Sequence, residues 1–201
     1  MKVDIEDVLF WMDAIRNSDD RYRTLESFWK GQVRSKLWLI ENLSNLLPQL
    51  HSEKTIAIYG GWNGVLASLI FNSGINVKKI TSIDIDPTCE DTACTINKRQ
   101  EIEGRFNAVT ADMADYTMPA DIVINTSCEH ITQEQYNQWI GSQPNDALFV
   151  LQSNNYFDLD EHINCVNDTK HFELTSQLNK LVYTGDLELP KYTRFMLIGY
   201  K

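Results

Sequence analysis

Apolar positions along this chain change their period after Pro48. From Val3 to Ile15 the residues Val8, Leu9, Trp11, Met12 and Ile15 recur at helical spacing, and Asn17-Ser18-Asp19-Asp20 then breaks the run. A second run from Leu25 to Leu47 repeats the spacing through Phe28, Trp29, Val33, Leu37, Trp38, Ile40, Leu43 and Leu47, and Pro48 ends it. The pattern predicts two helices ahead of the first strand.

After Pro48 the period shortens. Thr55 to Tyr59, Lys79 to Ile83, Phe106 to Thr110, Ile122 to Asn125 and Leu148 to Gln152 are apolar runs too short for helices, and they read as buried parallel strands. Between them, Val65 to Asn72, Thr88 to Glu101 and Gln133 to Ile140 have the pattern of crossover helices, so a doubly wound α/β sheet is predicted. Lys180 to Leu187 and Thr193 to Tyr200 are two further strand-like runs. The five residues from Glu188 to Tyr192 between them leave no room for a helix, so the chain is expected to end in an antiparallel hairpin. The whole is a mostly parallel seven-stranded sheet preceded by two helices, with residues 1–50 as a helical extension packed on a core domain of residues 51–201.

Composition narrows the function classes. A length of 201 residues suits one core, and 43% hydrophobic residues are too many for a disordered chain. A formal charge of −10 argues against coating extended nucleic acid, which needs a concentrated positive field. The N-terminal region is nonetheless basic, with Arg16, Arg21, Arg23, Lys30, Arg34 and Lys36, and this reads as a solvated helix face or as a local patch for one structured partner. Cys89, Cys94, Cys128 and Cys165 lack paired spacing and a companion histidine set, so no metal is expected of them and they read as free thiols of a reducing cytoplasm. The opening MKVDIEDVLF puts acids where a signal core would be apolar, and no apolar stretch is long enough for a membrane helix.

The richest stretch runs from Thr55 to Ala67, where an apolar strand feeds Gly60-Gly61-Trp62-Asn63-Gly64 and then a helix. Glycine there permits positive φ, lets a ligand approach bare backbone, or simply serves tight packing. About twenty residues later a strand ends at Asp84, where a carboxylate can accept both hydroxyl protons of a ribose or cap the next helix; Asp86 and Thr88 stand nearer for capping. A third strand ends in Asp112-Met113, an acceptor for an adenine amine beside an apolar face for its ring.

In that order, the glycine turn, Asp84, Asp112, the strand Asp121 to Asn125 and the terminal hairpin resemble the class I S-adenosylmethionine (SAM) dependent methyltransferases, with a Rossmann-like core, over Thr55 to Lys201. The resemblance implies SAM as cofactor, held by Tyr59, Gly60, Gly61, Trp62, Asn63, Gly64, Asp84, Ile85, Asp112, Met113 and Asn125. It also implies methyl transfer to an acceptor that the chain does not name. The family motif is an acid followed by G-x-G-x-G. Ile58 stands where the acid is expected and Trp62 where the central glycine is expected, so the indole either shapes the pocket, fills it, or packs on the N-terminal helices. After the fourth strand, Glu129 and His130 are candidates for a general base or for positioning the acceptor, unless they merely open the next helix. Asn154, Asn155 and Tyr156 follow the fifth strand and are candidate acceptor contacts. Cys128 lacks the Pro-Cys signature of covalent pyrimidine methylation. Two rival readings stand beside transfer: SAM cleavage or aminocarboxypropyl transfer, and a non-enzymatic nucleoside-binding module. The compact size resembles stand-alone methyltransferase-like proteins of bacteria and their phages.

Overall fold

The computed structural model describes residues 2–46 and 52–201, so the expected helix end at Leu47-Pro48 lies outside the described residues. Seven strands form a sheet in the order β3-β2-β1-β4-β5-β7-β6, where β1 is Lys54–Tyr59, β2 Val77–Asp84, β3 Phe106–Thr110, β4 Ile122–Asn125, β5 Leu148–Asn154, β6 Lys180–Glu188 and β7 Thr193–Tyr200. The expected α/β class and terminal hairpin are both present. By packing the chain divides into two compact units, Met1–Asp112 and Met113–Lys201. Among the described residues no helix is long and apolar enough to cross a membrane.

In the first unit β1, β2 and β3 run parallel, with Ile56 beside Ile80 and Ile80 beside Phe106. The N-terminal region holds three helices rather than two: α1 (Ile5–Asn17), α2 (Arg21–Glu26) and α3 (Lys30–Leu46). The apolar run from Leu25 is interrupted because the Ser27 hydroxyl donates to the Thr24 carbonyl at 2.6 Å, and the Phe28 and Trp29 amides reach back only three residues. Side chains that compete for backbone groups end helices in this way. Asp4 caps α1 by accepting from the Glu6 amide.

A buried polar knot anchors α1. Asp7, 1% exposed, accepts from Arg99 through Nε at 3.0 Å and Nη2 at 2.8 Å, and from Asn72 Nδ2 at 2.7 Å. Arg99 Nη1 also reaches Asp4 at 3.1 Å, and Trp11 Nε1 donates to Ser68 Oγ at 2.9 Å. These bonds tie α1 to α4 (Val65–Phe71) and its C-terminal Asn72, and to α6 (Lys98–Ile102). The expected helix from Thr88 to Glu101 is broken into α5 (Thr88–Ile96) and α6, because buried Asn97 turns its amide onto the Ala93 carbonyl.

In the second unit β4 and β5 are parallel, and β5, β7 and β6 pair antiparallel, with Leu151 beside Leu197 and Thr184 beside Leu197 on its other edge. β7 is buried along its middle six residues, whereas β6 alternates between half-buried and exposed as an edge strand does. Between β5 and β6 a short helix appears that the pattern did not predict, α8 (Thr169–Thr175), capped by Asp168. The expected crossover helix is α7 (Gln133–Ser142), opened by a capping box between Thr132 and Gln135.

Candidate functional site

Each unit gathers part of the predicted residue set at the C-terminal ends of its parallel strands. In the first, β1 ends at fully buried Tyr59 and the chain turns through Gly60 (φ 63°), Gly61, Trp62 (φ 48°), Asn63 and Gly64 (φ 72°) into α4. A Cβ on Gly61 would lie 1.9 Å from Ser82 Oγ and 3.2 Å from Ser82 Cβ, so any side chain there would displace the buried Ser82 hydroxyl. Trp62 occupies the left-handed region that an L side chain adopts at a cost of ~1–2 kcal/mol.

Asp84 holds that strained residue in place. Its Oδ2 accepts from the Trp62 amide at 2.7 Å, and its Oδ1 accepts from the Asp86 amide at 3.1 Å. The turn into α5, whose N-cap is Pro87, is held by Asp86, which accepts from both the amide and the hydroxyl of Thr88. Asp84 is half-buried, and with Trp62, Ser82, Cys89 and Glu90 it lines a small pocket whose other walls come from β3 and α5. Trp62 thus faces these elements rather than leaving the turn open. The Ala111 amide donates to the Asp84 carbonyl at 2.9 Å, bringing exposed Asp112 to the same edge; Ile85 is 66% exposed there.

Two interactions of this edge, made by Asn97 and Arg23, escaped the sequence reading. Asn97 sits beneath the turn and donates to the Gly64 carbonyl at 3.0 Å, so close that a Cβ on Gly64 would meet its amide at 2.7 Å. Arg23 of α2 forms an ion pair with Asp86 at 2.6 Å and a hydrogen bond with Thr88, fastening the N-terminal helices to the loop after β2. That pairing and the Thr88 hydroxyl, the larger influence, hold the Asp86 carboxyl below the usual range. Asn63 is buried, and among the described residues its Nδ2 has no hydrogen-bond partner.

In the second unit Asn125 ends β4 fully buried, with Nδ2 against Met113 Sδ at 3.6 Å and Oδ1 accepting from the Ser127 amide. Cys128–His130 form a 3-10 turn rather than the first turn of α7. Glu129 is 1% exposed, and its Oε1 accepts from Asn154 Nδ2 at 2.6 Å and Arg194 Nη1 at 3.1 Å. Arg194 is itself fixed by Gln152 and by the Thr126 carbonyl. Asn154, expected in the loop after the fifth strand, is instead the fully buried last residue of β5, because its amide completes this ion pair. Asn155 Oδ1 accepts from the Thr193 amide, and Tyr156 stacks on Tyr192 at 5.1 Å between ring centroids. His130 is exposed and meets His162 edge-on at 4.7 Å. Burial pushes the Cys128 thiol well above its usual value and the Cys89 thiol up to about 11, so neither is an activated nucleophile at neutral pH.

No protein-family model and no curated protein matches the sequence. Solved structures do match. The N-methyltransferase NodS from Bradyrhizobium japonicum WM9, in complex with S-adenosyl-L-homocysteine, aligns over 96% of this chain and 99% of its own, at 11% identity and a TM-score of 0.65. A point mutant of MtNAS in complex with S-adenosylmethionine aligns over 97% of this chain and 72% of its own, at 14% identity and a TM-score of 0.58. The mitomycin 7-O-methyltransferase MmcR aligns over 95% of this chain and 60% of its own, at 12% identity and a TM-score of 0.60. With its strand order and terminal hairpin, the chain has the Rossmann-like fold of the class I SAM-dependent methyltransferases.

Proposed function

We propose that the chain is a SAM-dependent methyltransferase whose nucleoside site lies along the C-terminal edge of β1, β2 and β3. The observation that carries this reading is the Asp84 carboxylate, half-buried beside a glycine turn that it holds with a 2.7 Å bond. A carboxylate offers about four acceptor positions, and the two amides of Trp62 and Asp86 occupy two of them, leaving capacity for a ribose diol. The fold adds support, since likeness to NodS with S-adenosyl-L-homocysteine and to MtNAS with SAM puts such a nucleoside within the repertoire of the architecture.

On this reading the peptide groups from Tyr59 to Gly64 face the methionine tail, Asn63 Nδ2 offers it a donor, and Asp112 takes the adenine amine. Ile85 flanks the ribose. Ile58 offers the amino end no charge, so the Trp62 indole is assigned the sulfonium, a cation–π contact of ~0.5–2 kcal/mol. Glu129, His130, Asn154, Asn155 and Tyr156 are the proposed acceptor-side residues. Glu129 acts there by positioning, with its Oε1 held by Arg194 and Asn154.

The left-handed Trp62 in place of a glycine favours a second reading, in which SAM is bound but cut at a different bond. Purified protein incubated with methyl-labelled SAM and fractionated cell extract separates the two by mass spectrometry. S-adenosylhomocysteine with label on an acceptor is the expected outcome. Methylthioadenosine supports the second reading, and intact SAM with no bound fraction contradicts both.

A further inference from the structure

We infer that Glu129, His130 and His162 form a binding site for a divalent transition-metal ion of the zinc class. One potential ligand atom from each of the three lies within 4.8 Å of the other two. The residues are brought together by the 3-10 turn after β4 and the loop after β5, thirty-two positions apart for the histidines, so no local spacing in the sequence announces them.

Two independent features point to a ligand there. First, Glu129 is 1% exposed and its Oε1 is saturated by Asn154 and Arg194, yet its Oε2 is buried with no hydrogen-bond partner among the described residues. A buried carboxylate oxygen left unpaired is costly, and a cation is the partner that a carboxylate accepts best. Second, His162 Nδ1 lies 3.0 Å from the Tyr156 carbonyl oxygen. A carbonyl only accepts, so Nδ1 carries the proton and Nε2 keeps its lone pair for a metal. The same carbonyl bond orients ligating histidines in metal sites generally.

Two imidazoles and one carboxylate are the donor set that zinc takes in open sites, with the remaining position left to water or substrate. Bonds of ~2.1 Å at tetrahedral angles need donor separations of ~3.4 Å, so binding draws the three side chains inward. His130 is exposed and free to swing about its own side-chain bonds, while Arg194 keeps the carboxylate anchored from behind. The ion pair with Arg194 neutralises Glu129 on one oxygen without occupying the other. This assignment stands whether or not the chain transfers a methyl group.

The test titrates tag-free, metal-stripped protein with zinc(II) by calorimetry and with cobalt(II) by visible absorption. The inference predicts one ion per chain and a cobalt d–d spectrum lacking a thiolate charge-transfer band. It further predicts that His130→Ala, on an exposed side chain, weakens binding more than about 10-fold, and that His162→Gln does the same while circular dichroism stays native. A thiolate band, or stoichiometry and affinity unchanged in both histidine variants, overturns the assignment and places any bound metal elsewhere.

Discussion

Trp62 has the backbone of a glycine, with a φ of 48°, and the Asp84 carboxylate at 2.7 Å from its amide keeps it there. Replacing the indole separates conformation from contact: Trp62→Ala and Trp62→Gly both lose the side chain, but only glycine accepts the turn without strain. Trp62→Gly is therefore expected to be more stable than Trp62→Ala by about 0.5–1 kcal/mol in urea unfolding, the left-handed cost less the entropy of glycine in the unfolded chain. An alanine variant of equal or greater stability contradicts the role of strain. The sequence displayed the glycine turn and Asp84 because both follow from a strand ending in residues that tolerate positive φ or carry charge. It did not display the bond between them, because a contact over twenty-two positions depends on two strands lying side by side. Asn97 and Arg194 stayed hidden for the same reason, each a polar residue whose partner lies far along the chain.

At the scale of elements, the apolar pattern identified the strands of the described residues: burial leaves apolar runs in β1, β4 and β5, whereas edge strand β6 shows alternating exposure. Helix limits were less legible. Ser27 and Asn97 interrupt apolar patterns without breaking them, by redirecting backbone hydrogen bonds through their own side chains. The α1 anchor gives a direct measure of such buried polar links. Asp7→Ala leaves one edge of Arg99 unpaired and takes one of two acceptors from Asn72 Nδ2, which keeps the Ser68 carbonyl, and it is expected to lower stability by ~1–3 kcal/mol through a reduced urea midpoint at unchanged slope. An unchanged midpoint would detach α1 from that knot. Asp86 adds a pH dependence at the start of α5. Its carboxyl is held below the unfolded value of ~3.9, so its stabilisation is full above that value and is lost as pH falls through the lower folded one. Asp86→Asn keeps an acceptor for Thr88 but removes the charge. The stability gap between native protein and this variant is expected at pH 7 and should close below about pH 4; a gap that persists into strong acid excludes the Arg23 and Thr88 interactions as its source.

For the whole molecule, an alternating strand and helix pattern closed by a hairpin was enough to reach the fold, because parallel strands demand crossovers and a five-residue link allows only an antiparallel return. Fold alone leaves chemistry open, and the acceptor depends on side chains whose grouping no local pattern records, as the convergence of Glu129, His130 and His162 illustrates. The central claim is that Asp84 grips a nucleoside sulfonium. Calorimetric titration of the purified chain with SAM, repeated on Asp84→Ala and Asp84→Asn with folding checked by circular dichroism, tests this most directly. The predicted result is one SAM per chain, with affinity reduced by ~1–3 kcal/mol in the alanine variant and by less in the asparagine variant, which still accepts from the Trp62 amide. Absence of SAM binding by the native chain, or equal affinity in all three proteins, would contradict it.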